Sequence, residues 1–149
     1  MRRLQLLDLR YNLMRAEGTT ALAQVLPALV KSLTHLTLGH CHIDASTAAS
    51  ALAPALAQAT GLVKLDLQGN DLGPQASQWL VPVLSALRHL RDVGLQDCNL
   101  GAQGCMTVAQ ALKDRDGVSV RLVSYYDADA AGEEHELRNM SGINVFGQY

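Results

Sequence analysis

Aromatic residues make up only 4% of the 149-residue chain, with a single Trp and a single Phe. A hydrophobic core must therefore be assembled from Leu, Val and Ala. Cysteine is nearly as scarce. Cys41, Cys98 and Cys105 are too few, and odd in number, for a disulfide framework, and they point to a reducing compartment. No apolar run approaches the ~18 residues of a membrane span. Met1-Arg2-Arg3 followed by Leu4-Gln5-Leu6-Leu7 has the outline of a secretory leader, but Asp8 and Arg10 end its apolar run too early. Basic charge is not in excess either. Twelve Lys and Arg stand against 14 Asp and Glu, a formal net charge of -2, which argues against nucleic acid or an anionic membrane as the main partner. There is no phosphate loop, no G-x-S-x-G and no plausible catalytic triad. The length is that of one domain.

What the chain does have is a line written four times. Leu62-Val63-Lys64-Leu65-Asp66-Leu67-Gln68-Gly69-Asn70-Asp71-Leu72 follows L-x-x-L-x-L-x-x-(N/C)-x-(L/I/M), and the pattern starts at Leu4, Leu33, Leu62 and Leu90. The spacings are 29, 29 and 28 residues. A fixed period with apolar residues at fixed phases means a solenoid, in which each unit buries its core against its neighbours. Each line opens with alternation: Leu7-Asp8-Leu9-Arg10, Leu36-Thr37-Leu38-Gly39, Leu65-Asp66-Leu67-Gln68 and Val93-Gly94-Leu95-Gln96. This predicts short strands with leucines facing in and polar residues facing out. The long crossovers require parallel pairing.

The crossovers read as helices. Leu22, Leu26 and Leu29 form an i, i+4, i+7 stripe, Leu80, Leu84 and Leu87 repeat it, and Val108 and Leu112 follow suit. Leu52 and Leu56 come one residue late after Cys41, which predicts a one-residue insertion in the loop of the second unit. Pro27, Pro54 and Pro82 fall inside these stretches, where an interior proline costs about 3 kcal/mol or more. Either the helices are short, kinked and exposed on their outer side, or each crossover breaks into two shorter turns. The ladder position alternates Asn12, Cys41, Asn70, Cys98. An amide there can satisfy buried backbone groups where the chain turns inward, and a thiol does so more weakly.

These four lines and their periods resemble the ribonuclease-inhibitor-type leucine-rich repeat over residues 4–123, and within it the C-terminal repeats of NOD-like receptors. The resemblance implies an α/β leucine-rich-repeat solenoid, a horseshoe with parallel strands on the concave face and helices on the convex face. It implies recognition of proteins without catalysis or cofactor. The leading role it suggests is the sensing or autoinhibitory end of a cytosolic innate-immune receptor. An inhibitor or regulator that masks an enzyme's surface is the second reading, and a structural or self-assembling scaffold the third.

The pattern weakens toward the C-terminus. Residues 118–123 alternate like a fifth strand, but no Asn or Cys line follows, and an acidic stretch runs from Asp127 to Glu136. The expected division is four repeats plus a fifth strand over 1–123 and a degenerate capping repeat over 124–149, with a short polar helix and a shortened sixth strand. No equivalent cap precedes the first strand. Its edge is expected to continue into further repeats. The alternatives are an edge guarded by Arg2 and Arg3, or one paired with another copy of the chain.

Candidate chemistry is thin. His40-Cys41-His42 suggests a metal, but alternate positions point apart and Cys41 is needed inside. Asp127-Ala128-Asp129-Ala130-Ala131-Gly132 begins like a calcium loop, but Ala131 and Arg138 occupy positions that need ligands. Glu133-Glu134-His135-Glu136 are consecutive on a helix and do not converge. Cys105 opens a helix, which can lower a thiol pKa, though a buried small apolar role fits it better. The strand face remains. By phase it presents Leu6, Asp8, Arg10 and Tyr11; His35, Thr37 and His40; Lys64, Asp66 and Gln68; Asp92, Gln96 and Asp97. Ordinary solvated polarity would account for most of these singly; a parallel sheet presents them as one surface. The expected partner-binding residues are Arg10, Tyr11, His35, His40, Lys64, Asp66, Gln68, Asp92 and Gln96, with Tyr and Arg favoured as hot spots. Tyr125 and Tyr126 form a second candidate anchor.

Overall fold

A computed structural model describes residues 3–122. Five three-residue strands form one parallel sheet in chain order: β1 (Leu6–Asp8), β2 (His35–Thr37), β3 (Lys64–Asp66), β4 (Asp92–Gly94) and β5 (Ser119–Arg121). The register keeps the sequence period. Leu7, Leu36, Leu65, Val93 and Val120 align across the sheet, as do Asp8, Thr37, Asp66, Gly94 and Arg121. The expected fifth strand is present. The capping repeat, Tyr125, Tyr126 and the acidic stretch lie outside the described residues.

Between the strands run α1 (Arg15–Leu29), α2 (Ala45–Thr47), a π turn (Ala48–Leu52), α3 (Ala53–Ala57), α4 (Ser77–Ala86) and α5 (Gly101–Leu112). The inward leucines of strands and helices make one continuous core. Leu26, Leu36, Leu38, Leu52, Leu56, Leu65, Leu67, Leu80 and Leu95 are all fully buried. Alanine lines much of the second crossover, and Ala48, Ala53 and Ala55 are buried there.

The extra residue of the second unit is not in its loop. From Asp44 to Leu52 is eight residues, whereas Arg15 to Leu22, Gly73 to Leu80 and Gly101 to Val108 are seven. Asp44 is an ordinary extended N-cap, so helical geometry begins at Ala45, four residues after Cys41. Arg15 and Gly101, three residues past their ladder positions, have φ of +51° and +68°, so helical geometry begins one residue later there too. The loops of the first, second and fourth units are therefore equal in length. The surplus is absorbed as the π turn, which lets Leu52 return to the core stripe.

All three prolines sit inside continuous helical runs: Pro27 in α1, Pro82 in α4, and Pro54 just after the π turn in the run over 45–57. All three are exposed, so water can reach the carbonyls they leave without a donor.

Candidate functional site

A left-handed residue ends every strand line. Tyr11, His40, Gly69 and Asp97 have φ of +60°, +53°, +70° and +54°. Each stands just before the ladder Asn or Cys, where the chain must swing from the sheet into the core. The next residue's side chain then plugs the turn. Asn70 donates through Nδ2 to the carbonyls of Leu38 and Leu67, both at 2.8 Å, and accepts through Oδ1 from the amides of Cys41 (3.0 Å) and Ile43 (3.1 Å). The thiols of Cys41 and Cys98 donate to Leu9 and Leu67 carbonyls at 3.0 and 3.2 Å. Burial pushes the Cys98 thiol up to about 12 and raises that of Cys41 as well. Both stay protonated at neutral pH and are poor nucleophiles or metal ligands.

The φ > 0 positions carry the aromatic part of the strand face. The rings of Tyr11 and His40 stack with centroids 4.9 Å apart and planes within 3°. The other side of the His40 ring lies against Gly69, where an added Cβ would come within 2.3 Å of it. The glycine thus serves both as a left-handed residue and as a floor for the imidazole. His40 Nε2 and Gln68 Nε2 are 3.5 Å apart. Tyr11, 73% exposed, is the outer lid of this stack.

Toward the other end the face is ionic. Asp92 takes Arg121 on one side and Lys64 at 3.6 Å on the other. Asp66 is buried, caps the amide of Gln68 at 3.0 Å and leans over Gly94 from one side while Arg121 leans in from the other. On β1, Arg10 Nε and Nη2 grip Asp8 at 3.0 and 2.7 Å, and the Arg10 amide bonds the same carboxylate at 3.1 Å. These hydrogen bonds from Arg10 hold the Asp8 carboxyl well below the usual carboxylate range.

The structure thus brings Tyr11 and His40 together, and Lys64 with Asp92. Arg10 is committed to Asp8 instead of standing free. The His35 Nδ1 is 2.9 Å from its neighbour's hydroxyl, Thr34 Oγ1, and Gln96 is half-buried. Arg121 was not among the expected site residues, although the alternation Val118-Ser119-Val120-Arg121-Leu122 places it outward. The face carries four acidic side chains (Asp8, Asp66, Asp92, Asp97) and three basic ones (Arg10, Lys64, Arg121). Its charge is close to balanced, and each of the three basic side chains pairs with Asp8 or Asp92. The His40-Cys41-His42 triplet is split, with Cys41 inside, His40 in the stack and His42 exposed.

A family model described as "Leucine Rich repeat" matches residues 86–109. The register, the ladder residues and this match agree. The chain is a leucine-rich-repeat solenoid. It is also similar to "NACHT, LRR and PYD domains-containing protein 5" of Bos taurus, with 32% identity over 110 residues. That segment is 73% of this chain and 10% of the relative, so the chain spans about a tenth of the relative's length. Its leucine-rich repeats are similar to those of NOD-like receptors, and a leucine-rich repeat is a protein-interaction module, not a class of enzyme. Among the described residues, no helix is long and apolar enough to cross a membrane.

Proposed function

We propose that this leucine-rich-repeat domain recognises a protein through its strand face and the turns that follow, as the sensing or autoinhibitory end of a cytosolic innate-immune receptor. The observation that carries the reading is the exposed, pre-ordered Tyr11–His40 stack beside Leu6 and Arg10. A rigid aromatic lid loses little conformational entropy on binding and suits a hot spot. The proposed contact residues are Arg10, Tyr11, His35, His40, Lys64, Asp66, Gln68, Asp92 and Gln96. Tyr125 and Tyr126 are retained as a second anchor outside the described residues. The low net charge of the face favours this reading over an inhibitor that masks an enzyme through charge, because a surface whose basic groups are paired within the sheet gives little long-range steering.

The test is capture from cytosolic lysate with three proteins run side by side: the chain itself, Tyr11→Ala with Lys64→Ala on the strand face, and Gln78→Ala with Gln110→Ala on the helix face. A protein retained by the first and third and lost by the second supports the reading. Loss only with the helix-face variant would move the site to the convex side and refute it.

A further inference from the structure

The helices of the second, third and fourth crossovers carry no charged residue. Between Asp44 and Lys64, between Asp71 and Arg88, and between Asp97 and Lys113 there is no Asp, Glu, Lys or Arg. The exposed residues of these helices are Ser, Thr, Gln, Ala, Pro or Gly, as at Ser50, Pro54, Gln78, Pro82, Thr107 and Gln110. A helix face turned to water ordinarily carries charge. Loss of charge where Trp and Met are present is the composition of an interface core. Trp79, the chain's single Trp, is half-buried in a recess of about 220 Å³ between the second crossover and α4, beside Ala45, Ala49 and Leu72. Val81 and Met106, also half-buried, share a groove of about 500 Å³ between α4 and α5 with Gln103 and Gln110.

Charge returns at the two rims of this face, sorted by sign. Where the chain enters the three crossovers stand Asp44, Asp71 and Asp97, a net -3. Where it leaves the last two, Arg88, Arg91, Lys113 and Arg115 outnumber Asp114 and Asp116, a net +2. The helix dipoles favour this sorting, and it gives the face a polarity that is self-complementary in one orientation. A second copy turned about a two-fold axis along the solenoid lays its helices antiparallel and sets its acidic rim on the basic rim opposite. An axis along the helices would set like rim on like rim. Across the middle, glutamine amides both donate and accept, so Gln78, Gln103 and Gln110 can pair with residues of their own kind.

We infer that the charge-free helix face is a docking surface for a second copy of this chain, packed back to back with antiparallel helices. The area suffices. The helical run over 45–57, α4 with 10 residues and α5 with 12 lie side by side. At ~1.5 Å per residue and about 10 Å between axes, they span about 30 Å by about 17 Å. Two copies therefore set roughly 1,000 Å² against each other in projection alone, the lower bound for a specific interface. The strand faces point away from each other in such a pair. The inference thus stands whichever protein the strand face recognises.

The test is sedimentation equilibrium of the full chain from low micromolar to several hundred micromolar, at low and at high salt. The parent should dimerise reversibly, and less tightly at high salt as the rims are screened. Two variants put like charges into the face: Gln78→Lys with Gln110→Lys, and Gln78→Glu with Gln110→Glu. Each alone should raise the dimer dissociation constant by about tenfold or more. An equal mixture of the two should associate again, because each basic face then meets an acidic one, and that recovery excludes misfolding as the cause of the loss. A parent that stays monomeric throughout overturns the inference. So does a dimer that neither variant weakens, a mixture that stays monomeric, or a dimer lost to Leu6→Glu on the strand face instead. A dimer indifferent to salt overturns the antiparallel arrangement.

Discussion

At the residue scale the ladder position shows why Asn and Cys are not equivalent here. The Asn70 amide oxygen accepts the Cys41 and Ile43 amides directly. A thiol cannot accept two N–H groups well, and where Cys41 and Cys98 stand, the turn of the repeat before is met by their backbone carbonyls instead. Met14 N bonds Cys41 O at 3.1 Å, and Leu72 N and Gly73 N bond Cys98 O at 3.1 and 3.2 Å. Asn70→Ala should therefore leave two buried donors and the Leu38 carbonyl short of partners, while the Leu67 carbonyl keeps the Cys98 thiol. Each unsatisfied buried donor costs about 1–3 kcal/mol, so a loss of roughly 3 kcal/mol or more in urea unfolding is expected. Asn70→Cys restores a donor to Leu38 O, as Cys41 and Cys98 supply one to Leu9 O and Leu67 O of the repeat before, but no acceptor for the amides, and should fall between the alanine variant and the parent. A cysteine variant as stable as the parent would show that the turn can switch to the backbone scheme of its neighbours.

At the element scale the π turn is the one place where a crossover departs from the frame of the others. The surplus residue leaves Leu52 and Leu56 in the core, so it costs the helix ladder and not the packing. Deleting the exposed Ala49 restores the seven-residue spacing, and stability should stay level or rise by up to about 1 kcal/mol, as one strained turn becomes regular helix. Deleting Gln78 from α4, which has no surplus, should instead rotate Leu80 and Leu84 out of the core and cost more than about 3 kcal/mol. Comparison of the two unfolding midpoints decides whether the bulge absorbs the insertion. The same crossover carries a side-chain cap: Asp44 Oδ1 accepts from Thr47 N at 2.9 Å, and Oδ2 from the Thr47 hydroxyl at 2.8 Å. These bonds, the backbone one first, lower the Asp44 pKa. A depressed folded-state pKa gives stability that is full above the unfolded value of about 3.9 and is lost as pH falls through the folded one. Asp44→Ala should cost about 1 kcal/mol near neutrality, and the gap to the parent should close as the pH drops below about 4. A gap independent of pH would assign the effect to packing instead. Strands, helix stripes and the role of the ladder amide were legible beforehand because their signals lie within one repeat. The π turn was not, since a late leucine fits a longer loop or a bulged helix equally well. Nor was the capping of α4 by Arg115, whose guanidinium reaches Leu84 O at 2.6 Å and Leu87 O at 2.8 Å about one period back.

At the scale of the whole molecule, the side chains of the strand face could be named from phase alone, but their pairings could not. Tyr11 meets His40, and Asp92 meets both Lys64 and Arg121, across a period of nearly thirty residues, and rotamers decide which neighbour is taken. That period also governs how the molecule should come apart. A solenoid is held by nearest-neighbour interfaces, so opening propagates from weak ends instead of passing through one nucleus. Among the described residues the β1 end is weak by three measures: half-exposed leucines, a strand edge with no neighbour, and Asn12 side-chain bonds that are all local. The two buried ladder cysteines report on different interfaces, since Cys41 ties the second repeat to Leu9 and Cys98 ties the fourth to Leu67. Both thiols are raised by burial, so neither reacts without local opening. In dilute urea, thiol labelling read peptide by peptide should modify Cys41 well before Cys98. The Cys41 rate should depend only weakly on urea because little surface is exposed when one terminal repeat lifts away. Cys98 should follow unfolding of the central repeats with a steeper dependence. Identical rates and slopes at the two sites would mean that the array opens as a single cooperative unit, and that the exposed apolar end face costs the first repeat nothing in local stability.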